Sequence, residues 1–194
     1  KGSLAAFICA VDRSGRPPAR VTFIAAVGEE DSSRGTRHIV GRYRPDFCIV
    51  GEPSGWAAIT LGYKGCLKVD VSIRRPAVHA AGPAVSAPEE AVRFYNALVE
   101  LCARLNRGRS ARFARVEPGL REIVSATDGL REEARLRVDL RLPEGCEPGP
   151  LQEAIRALLP GAAMRFGAAQ PCFRAGKNNT LVRAFLAAIR VHGG

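Results

Sequence analysis

The stretch "GCLKVDVSIR", residues 65–74, decides the fold. Leu67, Val69, Val71 and Ile73 alternate with Lys68, Asp70, Ser72 and Arg74. A strict period of two describes a strand with one face buried and the other solvated, as in a sheet covered on one side. "ARLRVDLRL", residues 134–142, repeats the pattern: Leu136, Val138, Leu140 and Leu142 alternate with Arg135, Arg137, Asp139 and Arg141. Between the two lies "SAPEEAVRFYNALVELCARLN", residues 86–106, which reads as an amphipathic helix. Ser86 and Glu89 have capping-box spacing, Pro88 falls in the first turn, and Val92, Tyr95, Val99 and Cys102 keep helical spacing. Further strands are expected near 111–116, 122–126 and 163–166, with a helix at 151–159. The order strand, helix, strand, strand, helix, strand is the split βαβ pattern, a ferredoxin-like α+β unit.

Upstream of residue 65 the pattern differs. "ARVTFIAAVG" (19–28) and "DFCIVGEPS" (46–54) are continuous apolar runs that read as buried strands, and "WAAITLGY" (56–63) reads as another. Helices are expected over 4–11 and within "SSRGTRHIVGRY" (32–43). Apolar strands alternating with helices point to a mostly parallel α/β sheet. After residue 173, "NNTLVRAFLAAIR" (178–190) resumes a helix that returns to this first unit. The expected organisation is therefore an α/β domain over 1–64, an inserted α+β domain over 65–173, and a return over 174–194.

The chain has 194 residues, 46% hydrophobic and 25% charged, so a packed core is expected rather than disorder. No apolar run approaches the ~20 residues of a membrane span, so no membrane partner is expected. Six scattered cysteines form no CxxC pair, which argues against a zinc ribbon and for a reducing, cytoplasmic compartment. The net charge of +10 points to an acidic partner. A basic split βαβ unit is also the outline of an RNA-recognition module, which stacks bases on aromatic side chains of its exposed sheet face. "KVDVSI" and "RLRVDLRL" contain no aromatic residue, so no nucleic-acid partner is expected.

Chemistry gathers at Glu29, Glu30 and Glu52, each at the carboxyl end of an expected strand. That edge is where open α/β sheets bind ligands. Adjacent carboxylates raise one another's pKa, and a cation between them relieves the repulsion. Hard oxygen donors suit a divalent metal, and one member of such a pair is free to act as general base.

In order, "KGSLAAF", "VGEEDSSRG", "DFCIVGEPS", "GYKG" and "HAAGP" resemble the co-catalytic metallopeptidases and deacylases, the family of acetylornithine deacetylase and succinyl-diaminopimelate desuccinylase. The resemblance implies a partial zinc-peptidase-like catalytic domain over 1–64 and 174–194, interrupted by a ferredoxin-like lid and dimerisation domain. It implies two divalent metal ions, zinc or cobalt, with Glu29 as general base and Glu30 and Glu52 as metal ligands. It also implies that His79 stabilises the oxyanion in the neighbouring subunit of a homodimer, and that Asn178 and Asn179 line the substrate pocket. His38 is expected on a helix surface and His192 near the chain's end. The activity implied is release of lysine or ornithine from an acidic amino-group carrier protein, in lysine or arginine biosynthesis. The alternative within the family is a deacylase of small acylated amino acids. The family's remaining metal ligands fall before Lys1 and after Gly194, so the chain is expected to be an internal piece of a longer enzyme, inactive alone.

Overall fold

The computed structural model describes residues 2–28, 33–52, 54–79 and 81–193. The chain divides into two compact units, one of residues 1–60 and 177–194, the other of residues 61–176. Together they make a mixed α/β protein.

The second unit is a four-stranded sheet with two helices contributing to its core. Its elements are β2 (Gly65–Pro76), α3 (Ala87–Leu105), β3 (Glu117–Thr127), β4 (Arg131–Leu142), α4 (Pro148–Arg156) and β5 (Ala163–Phe166). The spatial order is β3-β4-β2-β5, with every neighbouring pair antiparallel. This is the split βαβ arrangement. A second, two-stranded sheet pairs β1 (Gly62–Tyr63) with β6 (Phe173–Arg174).

The two alternating stretches are the central pair. Leu67 lies opposite Leu140, Val69 opposite Val138, and Val71 opposite Leu136. All six are at most 2% exposed. In an antiparallel ladder directly opposed residues share a face, so two strands with matched alternation bury one continuous apolar surface. Each such aliphatic side chain contributes about 1.5–3 kcal/mol on full burial. The opposite face carries charge partners: Arg137 reaches Asp70 at 3.3 Å and Glu122 at 3.2 Å, and Arg121 reaches Asp139 at 3.0 Å.

Helix α3 begins where the sequence placed it. The Ser86 hydroxyl accepts from the Glu89 N–H at 3.3 Å, and the Glu89 carboxylate accepts from the Ser86 N–H at 2.9 Å. The buried side differs from the spacing first read. Ala87, Ala91, Phe94, Leu98, Leu101 and Cys102 face the core, whereas Val92 and Val99 are 51% and 41% exposed. Phe94 and Leu98 are the larger pair and fill the space over the sheet, which rotates the helix so that the smaller valines turn outward. The two short strands expected near 111–116 and 122–126 are one 3-10 turn (Arg112–Ala114) followed by one long strand, β3.

The first unit has helices α1 (Gly2–Arg13), α2 (Arg34–Ile39) and α5 (Thr180–Val191). Residues 21–28 and 46–52 are not in strands, and 56–61 are not either. Val21, Val27, Ile49 and Val50 are 49–62% exposed. A strand exists only through its ladder, and among the described residues of this unit no segment pairs with either apolar run. The composition of a buried strand is there; among the described residues a pairing neighbour is not.

Candidate functional site

Glu29 and Glu30 lie outside the described residues. The residues on either side of them are placed. The Ser33 N–H donates to the Gly28 carbonyl at 2.6 Å, and the Gly35 N–H donates to the Val27 carbonyl at 3.0 Å. A Cβ at Gly35 would stand 2.4 Å from the Val27 nitrogen, so only glycine permits the chain to fold back here onto the end of the apolar run. Residues 33–35 are thus tied to residues 27–28 by two backbone bonds.

Glu52 is exposed. The preceding Gly51 packs against α1: a Cβ there would meet the Phe7 ring at 2.7 Å and the Ser3 Cβ at 2.9 Å. Phe7 in turn meets Phe23 edge-on, with ring centroids 6.3 Å apart. Both the apolar run at 21–28 and the Gly51–Glu52 backbone are therefore anchored on the same side of α1.

His79 is exposed, in a tight turn after β2. Its carbonyl accepts from the Gly82 N–H at 2.8 Å, and its Nδ1 accepts from the Ala81 N–H at 3.2 Å. An acceptor role at Nδ1 places the neutral imidazole's proton on Nε2. The turn thus presents an N–H donor, the form suited to a developing oxyanion.

Asn179 is the N-cap of α5, its Oδ1 accepting from the Val182 N–H at 2.9 Å. That bond uses the acceptor of the side chain to satisfy an orphan helix donor. Asn178 is exposed beside it. His38 is exposed on α2, and His192 caps the end of α5.

A divalent cation suits Glu52 in kind, since its carboxylate is a hard oxygen donor. It does not suit the described residues in number: among them no three His, Cys, Asp or Glu side chains are placed to hold a metal ion. Glu52 and His79 belong to different compact units.

A further cluster of charge lies at the end of α3. The last turn of α3 and the segment that follows carry Arg104, Arg107, Arg109, Arg112 and Arg115, all exposed. Asn106 pins it, with Nδ2 donating to the Val116 carbonyl and Oδ1 accepting from the Val116 N–H, both at 2.8 Å. Five arginines in twelve residues are a legible charge run; the clamp that orders them is not legible.

A split βαβ unit inserted in sequence between the two stretches of a second compact unit, which is helical among the described residues, defines a two-unit mixed α/β protein. Within that class, residues 1–170 match the model of "Peptidase family M20/M25/M40", and the chain belongs to that family. It is 38% identical to the LysW-lysine hydrolase of Deinococcus radiodurans, an alignment covering all of this chain and 56% of that protein. It is 28% and 30% identical to the putative LysW-lysine/LysW-ornithine hydrolases of Thermococcus kodakarensis and Pyrococcus furiosus, covering all of this chain and 49% and 52% of theirs. The chain thus spans about half the length of the curated relatives it matches.

Proposed function

We propose that the whole protein is a metal-dependent amide hydrolase that releases lysine or ornithine from an acidic amino-group carrier protein, in the cytoplasm, in lysine or arginine biosynthesis. The observation that carries this reading is the 38% identity, over the entire chain, to a relative named for that reaction. On this reading residues 1–64 and 174–194 belong to the catalytic domain, and 65–173 form a lid through which two subunits pair. Glu30 and Glu52 are ligands of two divalent ions, zinc or cobalt, which when bound make water more acidic and polarise the acyl carbonyl.

The chain's own residues supply the proton movements. Glu29 removes a proton from the attacking water and returns it to the leaving amine. His79 of one subunit reaches the other's active site, and its Nε2–H donates to the tetrahedral oxyanion. The hydrogen bond from the Ala81 N–H to Nδ1 keeps that tautomer in place. Asn178 lines the amino-acid pocket, and Asn179 helps to do so while capping α5.

The test is the full-length Glu29→Gln protein. Its metal content should equal that of the wild type by elemental analysis, while turnover of a lysine-loaded carrier falls by at least about a hundredfold. Unchanged turnover refutes the role. A second reading, small-molecule deacylation, is favoured by 31% identity over 118 residues to the succinyl-diaminopimelate desuccinylase of Stenotrophomonas maltophilia. Comparing turnover of the loaded carrier with that of acetylornithine and succinyl-diaminopimelate separates the two.

A further inference from the structure

The last turn of α3 and the segment that follows it form a cationic surface, and nothing in the reaction proposed above uses it. Arg104, Arg107, Arg109, Arg112 and Arg115 are all exposed. Lys64 and Arg174 join them: Lys64 Nζ donates to the Arg112 carbonyl at 3.1 Å, and the Arg174 guanidinium lies 5.9 Å from the centre of the Phe113 ring. Seven cations therefore share one region.

Few carboxylates answer them. Glu117 is held by Lys64 at 2.7 Å and by Arg112 at 3.0 Å, which together hold its carboxyl below the usual range. Burial pushes the Cys146 thiol up, Arg109 pulls it down and Glu147 raises it, so both charges lie near Cys146. Arg104 and Arg107 pair with no carboxylate among the described residues.

The cluster is also ordered. The Asn106 clamp fixes both ends of the loop. Within it, Arg115 Nε donates to the Arg109 carbonyl at 2.8 Å, and Arg109 Nη1 donates to the Ala114 carbonyl at 3.1 Å. Bonds from guanidinium to backbone hold like charges together without neutralising them. Surplus charge held in a fixed pattern attracts an oppositely charged partner over a Debye length and orients it.

We infer that this arginine cluster is the docking surface for the acidic protein substrate, engaging its carboxylates. The inference rests on the carrier reading above for the identity of the partner. Charge complementarity and the relatives' named action on a protein conjugate favour a protein. Within residues 104–115 the one aromatic ring, Phe113, is partly buried and lies beneath Arg174, which gives bases little to stack on there.

The experiment compares three full-length proteins: wild type, Arg104→Glu/Arg107→Glu, and Lys68→Glu/Arg141→Glu. The last pair lies on the solvent side of the sheet, is exposed, and changes net charge by the same amount. Binding of the carrier protein is measured by calorimetry and stopped flow at low and high salt, alongside hydrolysis of a small acyl-lysine amide and of the loaded carrier. The loop variant should bind the carrier about tenfold or more weakly at low salt, chiefly through slower association, with a shallower salt dependence. Its activity on the small amide should be unchanged, and the sheet-face variant should bind within about twofold of wild type.

Equal losses in both double variants would replace local docking with net charge. No loss in the loop variant, or no carrier binding by wild type, would overturn the inference. So would salt-sensitive binding of single-stranded RNA through Arg104 and Arg107 without carrier binding. Wild-type protein that binds the carrier through this loop but does not hydrolyse it would leave docking intact and sink the carrier-hydrolase reading instead.

Discussion

The Asn106 clamp gives a prediction that runs from one side chain to the charged loop. Asn106 ends α3 and spans to Val116 with two bonds of 2.8 Å, one donated and one accepted. Val116 is 2% exposed, so its backbone groups have little recourse to water once the amide is gone. Each bond contributes about 1 kcal/mol net, and a buried polar group left unpaired costs more. Asn106→Ala should therefore destabilise the second unit by about 2–3 kcal/mol. If opening of the loop governs exchange, the Val116 amide should exchange roughly 30- to 150-fold faster in the variant. Hydrogen exchange read by mass spectrometry or NMR checks both numbers in the full chain. Asn96→Ala, on an exposed turn of the same helix, is the control and should stay within about 0.5 kcal/mol of wild type. Unaltered protection at Val116 in Asn106→Ala would mean that the loop is not held by this residue, and would remove the order on which arginine docking depends.

Two more outcomes follow from the charge and thiol environments. Arg135, then Ser72 and Arg74, hold the Glu133 carboxyl at about 2 against an ordinary 4.5. A carboxyl depressed on folding adds stability above its unfolded pKa and loses it as pH falls toward the folded value. Wild type should thus lose stability between about pH 4.5 and pH 2 more steeply than Glu133→Gln. Urea titrations across that window check this, and equal slopes would refute it. Burial, with a smaller contribution from neighbouring Cys146, pushes the Cys102 thiol up to about 11. At pH 8 only about one Cys102 in a thousand is then thiolate. Mass-mapped alkylation of native protein should label the exposed Cys9 and Cys48 well before Cys102, and denaturant should abolish the difference.

Much of the second unit was legible because its signals are local. Alternation in 65–74 and 134–142 states which side chains share a face, and the capping box states where α3 starts. Neither states the side on which α3 packs: Val92 and Val99 have the right spacing, but Phe94 and Leu98 fill the space over the sheet better. The first unit was less legible for the opposite reason. Its apolar runs at 21–28 and 46–52 have the composition of internal strands, yet a strand's hydrogen bonds belong to its neighbours.

The sequence by itself determined the central strand pair, the two helices and the split βαβ class of residues 65–166, though not the 3-10 turn at 112–114, and it carried the short motifs that announce the family. It did so because side-chain period and capping depend on residues a few positions apart. Tertiary structure alone decided which face of α3 is buried and how Asn106 ties the end of α3 to Val116. Those outcomes depend on groups that meet only when the chain has folded back on itself, as the Val116 backbone meets Asn106 and Lys64 meets Glu117 from 53 residues away.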